Sequence, residues 1–261
     1  PEFGKLVIFG VGLIGGSFAL ALKGVGQVGE VVGFGRSLGS LSQAIDLGII
    51  DRVGANAGAE VADADLVLIA TPVAQMPEIM ARIAPYLGEE TLVTDGGSTK
   101  GDVVAAARAY FGSRIGQFVP GHPIAGSEQS GVEASNAELF RRHKVILTPL
   151  DQTDPAALAV VDRLWRELGA DVEHMQVERH DDLAEQAESN RTAVVPIVPN
   201  RGRIVDRNGI VLATNYSAYT LEITPSRAGV LDETIDALSK VVDIQARDRR
   251  RFKRLMEESR N

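Results

Sequence analysis

At 261 residues, with 44% apolar and 24% charged side chains, the chain has the make-up of a soluble globular protein with one large domain or two smaller ones. A net charge of −8 excludes a general nucleic-acid binder, which needs a basic face, and no apolar run is long enough to span a membrane. The absence of cysteine excludes disulfides, thiolate chemistry and cysteine metal sites, so no metal site is expected and a cytoplasmic setting fits. The apolar start reads as a strand running into a glycine loop, not as a secretory signal.

Residues 5–10 predict a short buried strand, followed directly by GVGLIGGS (10–17) and an Ala- and Leu-rich helix. This is G-x-G-x-x-G between strand and helix. Gly10 permits the tight turn, Gly12 lets a pyrophosphate approach the backbone, and Gly15 allows close helix packing. Leu13 and Ile14 supply backbone N–H groups at the helix start, where free donors and the positive dipole end favour phosphate. A second strand at 30–34 ends in Gly35-Arg36-Ser37. An NAD-specific fold carries a carboxylate here for the ribose hydroxyl. A glycine followed by a guanidinium and a hydroxyl suits a 2′-phosphate, so NADP is favoured and NAD stays open.

A helix at 38–47 follows, then a strand at 65–70 ending in Thr71-Pro72, a helix at 75–87, a strand at 91–95, and a helix through 103–110. Strands at 117–120 and 144–148 and a helix at 155–168, with Leu158, Val161, Leu164 and Trp165 on one face, complete the pattern. Alternation of this kind predicts an α/β fold with a doubly wound, Rossmann-like parallel sheet over residues 1–175. Three segments fall at strand C-terminal ends, where such sheets bind ligands: ATPV (70–73), DGGSTK (95–100) and GHPIAGSEQSG (121–131). In the last, His122 follows a strand and opens a loop carrying Ser127 and Glu128. An imidazole near its ordinary pKa there suits proton removal from a hydroxyl while hydride leaves the same carbon.

The texture changes near residue 176. A charged helix at 178–191 precedes a proline-bearing edge strand at 192–199, and Asn208-Gly209 marks a hairpin between strands 203–205 and 210–213. A strand at 216–224 and helices at 231–242 and 246–258 follow, the last strongly basic and read as a solvated face. Residues 176–261 are therefore expected to form a small α+β segment.

The motifs GVGLIGGS, ATPV, DGGSTK, GHPIAGSEQSG and KVILTP (144–149), in this order, resemble the prephenate/arogenate dehydrogenase family of tyrosine biosynthesis. The resemblance implies NAD(P)-dependent oxidative decarboxylation of a small-molecule substrate, prephenate or arogenate. It makes His122 and Ser98 the groups at the reacting hydroxyl and places Ser127 and Glu128 in the substrate pocket. Thr71 and Pro72 join the cofactor site. The family continues after a His-Asp pair with SHLPH and a helical domain that supplies dimerisation and a carboxylate-binding arginine. Here His180-Asp181-Asp182 runs into LAEQAESNR (183–191), so impaired turnover is expected and the oligomeric state is left open.

AESNR (187–191), VPIVPNRG (195–202), IVDRNG (204–209) and Leu212-Ala213 resemble the periplasmic pedestal of a class B penicillin-binding protein of the elongation type. Its transpeptidase motif and membrane anchor are not expected in this chain. Both families place a His-Asp pair near the junction. His180 is thus either a residue near the substrate or a surface histidine of a linker helix. The two resemblances together imply a chimera. The alternative to a dehydrogenase is a non-enzymatic interaction module of cell-wall assembly.

Overall fold

Alternate residues of the first strand face opposite cores: Leu6 and Ile8 pack into one apolar cluster, Val7 and Phe9 into the other. A strand buried on both faces belongs inside a helix-covered parallel sheet, and the computed structural model places it there. The structure describes residues 1–126, 131–189, 204–205, 211–213, 236 and 249. It divides into two units, 1–192 and 193–261.

In the first unit the chain runs β1 (Phe3–Phe9), α1 (Leu13–Gly24), β2 (Val28–Phe34), α2 (Leu38–Asp46), β3 (Arg52–Val53), α3 (Ala57–Ala62), β4 (Leu66–Ile69), α4 (Met76–Ile83), β5 (Leu92–Asp95), α5 (Lys100–Tyr110) and β6 (Phe118–Val119). These six strands form a sheet in the order β3-β2-β1-β4-β5-β6, every pair parallel. The strand order reverses between β1 and β4, so the crevice lies at their carboxyl ends. The predicted helix over 75–87 is shorter than expected. Three-residue 3₁₀ turns flank α4, and the helix stops two residues before Pro85, whose ring is incompatible with the preceding helical turn.

The chain then leaves the parallel sheet. β7 (Gly121–Ile124), β8 (Lys144–Leu147) and β9 (Asp171–His174), with α6 (Pro155–Glu167) before β9 and α7 (Val177–Ser189) after it, build a separate three-stranded sheet. β7 pairs antiparallel with β8, and β9 pairs parallel with β8. The strand expected at 144–148 is thus not a seventh member of the parallel sheet. The segment expected as a loop after residue 120 begins as a strand. Pro123 is tolerated because β7 is an edge strand of its sheet. Trp165 of α6 is fully buried between Phe18 (4.9 Å between centroids) and Phe140 (5.0 Å), which ties α6 onto α1.

In the second unit β10 (Ile204–Val205) and β11 (Val211–Ala213) pair antiparallel, as the hairpin reading expects. Asp236 and Arg249 are helical, and Arg249 Nη1 donates to Asp236 Oδ1 at 2.6 Å. The strands expected at 192–199 and 216–224 lie outside the described residues. Among the described residues no helix is long and apolar enough to cross a membrane.

Candidate functional site

The glycine turn is shaped by its neighbours. Gly10 has φ +96°, and a Cβ there would lie 2.6 Å from the Ala70 carbonyl oxygen at the end of β4. A Cβ on Gly15 would lie 2.3 Å from the Gly10 carbonyl, so α1 can cross the turn only with glycine at this position. Gly12 differs: a Cβ there would meet nothing within 4 Å. The space it keeps clear is the open side of the turn, the room a pyrophosphate needs. Gly12 is the N-cap of α1, and the helical ladder begins with Gly16 N–H donating to the Gly12 carbonyl at 2.7 Å. The N–H groups of Leu13, Ile14 and Gly15 therefore start the helix without intrahelical acceptors. The side chains of Leu13 and Ile14 pack on the core, so only their backbones serve an anion.

A cleft of about 740 Å³ opens at this turn, and Gly10, Gly12, Arg36, Ser37, Thr71 and Pro72 all line it. Thr71 Oγ1 is buried with no hydrogen-bond partner among the described residues, a polar atom that a ligand amide or hydroxyl would satisfy. Arg36 is exposed and unpaired among those residues. The Ser37 hydroxyl has a structural duty as well, since it caps α2 by accepting from Ser40 N–H at 3.2 Å. Glu78 and Arg82 of α4 form the facing wall, which the sequence reading missed. The Arg82 guanidinium lies 5.9 Å from the Phe9 ring centroid, and Phe9 stacks on Phe34 at 4.9 Å. Only their helical spacing could have signalled them.

The second cluster is assembled from three separate segments. His122 on β7 meets His180 on α7, with His122 Nδ1 2.9 Å from His180 Nε2. His180 Nδ1 lies 2.9 Å from Asp181 Oδ1. The same carboxylate accepts Lys100 N–H at 2.8 Å and Gly101 N–H at 2.7 Å, capping α5 in place of the N-cap residue Thr99, whose own side chain makes no cap bond. His180 is 2% exposed with both ring nitrogens engaged, so it is not a surface histidine of a linker helix. It stands behind His122. Ser98 is exposed on the β5–α5 loop whose helix Asp181 anchors. Ser127 and Glu128 lie outside the described residues.

Beneath this cluster sits a fully buried ion pair, Lys100 Nζ to Asp95 Oδ2 at 2.5 Å. Lys100 also donates to the Gly121 carbonyl at 2.6 Å, and Asp95 Oδ1 accepts Gly121 N–H at 3.1 Å, which pins the residue before His122. Both residues stand in DGGSTK, but nothing in the motif told that they pair under the histidine. Burial pulls the Lys100 ammonium below its ordinary value, against the attraction of Asp95. Burial, then Lys100 and His180, lower His122 to about 4, with Asp181 opposing. The expectation of an imidazole near its ordinary pKa is therefore corrected: His122 is neutral well below pH 6. Burial raises Asp181, but the hydrogen bonds from His180, Lys100 and Gly101 outweigh it and leave the carboxyl below its usual range.

The two clusters are neighbours. A Cβ on Gly96 would come within 3.2 Å of Ile14 Cγ2 and 3.8 Å of Pro123 Cδ, so the residue after His122 lies beside the first turn of α1. The chain matches a known family. A family model described as the prephenate dehydrogenase nucleotide-binding domain matches residues 18–174. The chain belongs to the prephenate dehydrogenase family. The cyclohexadienyl dehydrogenase of Zymomonas mobilis is 36% identical over 181 residues, 69% of this chain and 61% of that protein. A crystal structure of prephenate dehydrogenase from A. aeolicus, in complex with hydroxyphenyl propionate and NAD+, is 42% identical with a TM-score of 0.64, covering 69% of this chain and 62% of that one. The chain thus spans about three fifths of each of these relatives.

A second family model, the penicillin-binding protein dimerisation domain, matches residues 196–261. The peptidoglycan D,D-transpeptidase MrdA of Escherichia coli K12 is 39% identical over 85 residues, 33% of this chain and 13% of that protein. A dehydrogenase segment followed by a transpeptidase-pedestal segment is the make-up of a chimera.

Proposed function

We propose that residues 1–192 bind NADP+ and carry the oxidative-decarboxylation site of a prephenate or arogenate dehydrogenase, with turnover impaired by the segment that follows Asp181. The observation that supports this most is the contact of Ile14, Gly96 and Pro123, which sets His122 beside the glycine cradle. The open face of Gly12, the Thr71 hydroxyl, which has no partner among the described residues, and the first N–H groups of α1 fit a dinucleotide. A dinucleotide held there would supply the acceptor for hydride from the substrate carbon that bears the 4-hydroxyl. His122 takes the hydroxyl proton as that C–H bond breaks. The ring carboxylate then leaves as CO2, the ring aromatises, and His122 returns the proton to the phenolate oxygen. A neutral imidazole is required for this, and lowering its pKa keeps it neutral through physiological pH. Ser98, on the loop anchored by Asp181, is the proposed second contact to the hydroxyl, and Ser127 and Glu128 the proposed pocket residues.

NADP is preferred in this reading because Gly35 offers no carboxylate and Arg36, on the cleft rim, has no partner among the described residues. Turnover is low because LAEQAESNR stands where the family carries SHLPH, and binding energy remote from the reacting carbon drives rate as well as affinity. Cofactor titration followed by steady-state assay with prephenate and arogenate tests both statements. Tight NADP+ binding with turnover far under a typical enzyme's rate of about 10 s⁻¹ is expected. Failure to bind either dinucleotide would overturn the first statement, and ordinary turnover the second. The match of residues 196–261 favours a second reading, an interaction module of cell-wall assembly, in which neither dinucleotide binds.

A further inference from the structure

We infer that Asp181 is the positioning residue of the proposed dehydrogenase site. It fixes the tautomers of His180 and, through it, of His122, so that His122 Nε2 is the atom left free to take a proton. The inference rests on the functional reading above for its role in catalysis, but its geometry stands independently.

An ionised carboxylate can only accept, so at 2.9 Å the Asp181 oxygen obliges His180 Nδ1 to carry a hydrogen and donate. A neutral His180 then presents a lone pair at Nε2. The ring of His122 faces that lone pair at 2.9 Å through its own Nδ1, which must therefore be the protonated nitrogen. One hydrogen remains per ring, and His122 Nε2 is left bare. It has no hydrogen-bond partner among the described residues. The logic is that of a Ser-His-Asp triad, in which the acid selects the tautomer of the base without itself taking the proton. Here the selection passes through one more imidazole.

Asp181 suits this task because three donors hold it. Oδ1 accepts Lys100 N–H and His180 Nδ1–H, and Oδ2 accepts Gly101 N–H. The fit at the helix end is close: a Cβ on Gly101 would lie 2.7 Å from Asp181 Oδ2. α5 has 11 residues, and the positive end of its dipole further favours the ionised form. An asparagine cannot replace this carboxylate. Its single oxygen cannot serve both sides, and its NH2 must confront either Gly101 N–H or the Lys100 N–H and His180 pair. Turned toward His180, that NH2 donates to Nδ1 and reverses both tautomers, which puts the hydrogen of His122 on Nε2 and removes the base. The same carboxylate thereby joins the Ser98 loop to the histidine pair across 81 residues of chain.

Tautomers are read directly from two-bond ¹H–¹⁵N spectra of the full chain with ¹⁵N-labelled histidine. The four histidines are few enough to assign by single substitution. In the unmutated chain, His122 and His180 should both show a protonated Nδ1 and a bare Nε2. Asp181→Leu, which can neither donate nor accept, should move both toward the Nε2–H form and lower any prephenate- or arogenate-dependent turnover by about 10²–10⁴-fold, the range for losing a general base. An Nε2–H tautomer of His122 in the unmutated chain, a doubly protonated His180 at neutral pH, or unchanged tautomers in a folded Asp181→Leu would overturn the inference. If Asp181→Leu does not fold, the unmutated spectrum alone decides. A chain that turns over neither substrate defeats the functional reading and leaves the tautomer result standing.

Discussion

The cofactor cleft and the histidine cluster are linked through Gly96, which touches Ile14 and Pro123, yet are built in different ways. The cleft is made of backbone: a φ +96° glycine, a carbonyl at the end of β4 and the free N–H groups of α1. Its requirements are mostly local, since Gly10, Gly12 and Gly15 all fall within the single turn from β1 into α1. The cluster is made of side chains from β7, α5 and α7. His122 and His180 are 58 residues apart, and Asp181 reaches a helix end 81 residues away. A backbone site tolerates variation in most side chains around it. A side-chain relay fails when any one member is lost, because each fixes the protonation of the next.

The sharpest way to break that contrast is His122→Asn. Residual dehydrogenase activity should fall by about 10²–10⁴-fold while dinucleotide affinity, measured by fluorescence titration, hardly changes. The unmutated chain should also show its acid limb near pH 4, because only below that does the lowered imidazole take up a proton. A limb at the ordinary histidine value would show that Lys100 and burial do not act on His122 as the geometry requires.

Next in size is Lys100→Met. Removing one partner of a fully buried pair leaves Asp95 uncompensated and should destabilise the first unit by about 3–5 kcal/mol in denaturant unfolding. A loss under about 1 kcal/mol would mean that water reaches the pair. Gly12→Val probes the opposite region. With nothing within 4 Å of the added Cβ, folding should be retained, while dinucleotide binding is abolished. Retained binding would place the ligand away from the turn. The smallest effect is expected at the exposed Arg36: Arg36→Ala should weaken NADP+ by about 1.5–3 kcal/mol, the worth of hydrogen bonds to a charged group, and leave NAD+ nearly unchanged. Equal affinity of the unmutated chain for the two cofactors would remove the case for NADP.

What could be read in advance divides along the same line. Strand-glycine-helix order at 3–24, the parallel sheet and the cofactor turn were legible because periodicity and glycine spacing express local sterics. Strands β3 and β6, at two residues each, carry too little pattern to be bounded well, and β3 went unpredicted. β7 was read as a loop because Gly121 and Pro123 are poor strand formers in isolation. Its pairing with β8 across some twenty residues overrides that preference.

For the site, the sequence alone determined that His122, Ser98 and the glycines belong to one family pattern, and that LAEQAESNR departs from it. It left His180 between two parents, since a His-Asp pair has no meaning without its neighbours. Only the tertiary structure decided that His180 is buried against His122, that Asp181 caps α5, and that Lys100 and Asp95 lie fully buried beneath them. The physical reason is range. Turns and helix starts are governed by clashes and hydrogen bonds within a few residues, whereas the charge state of an imidazole is set by burial and by charges that only folding brings within reach.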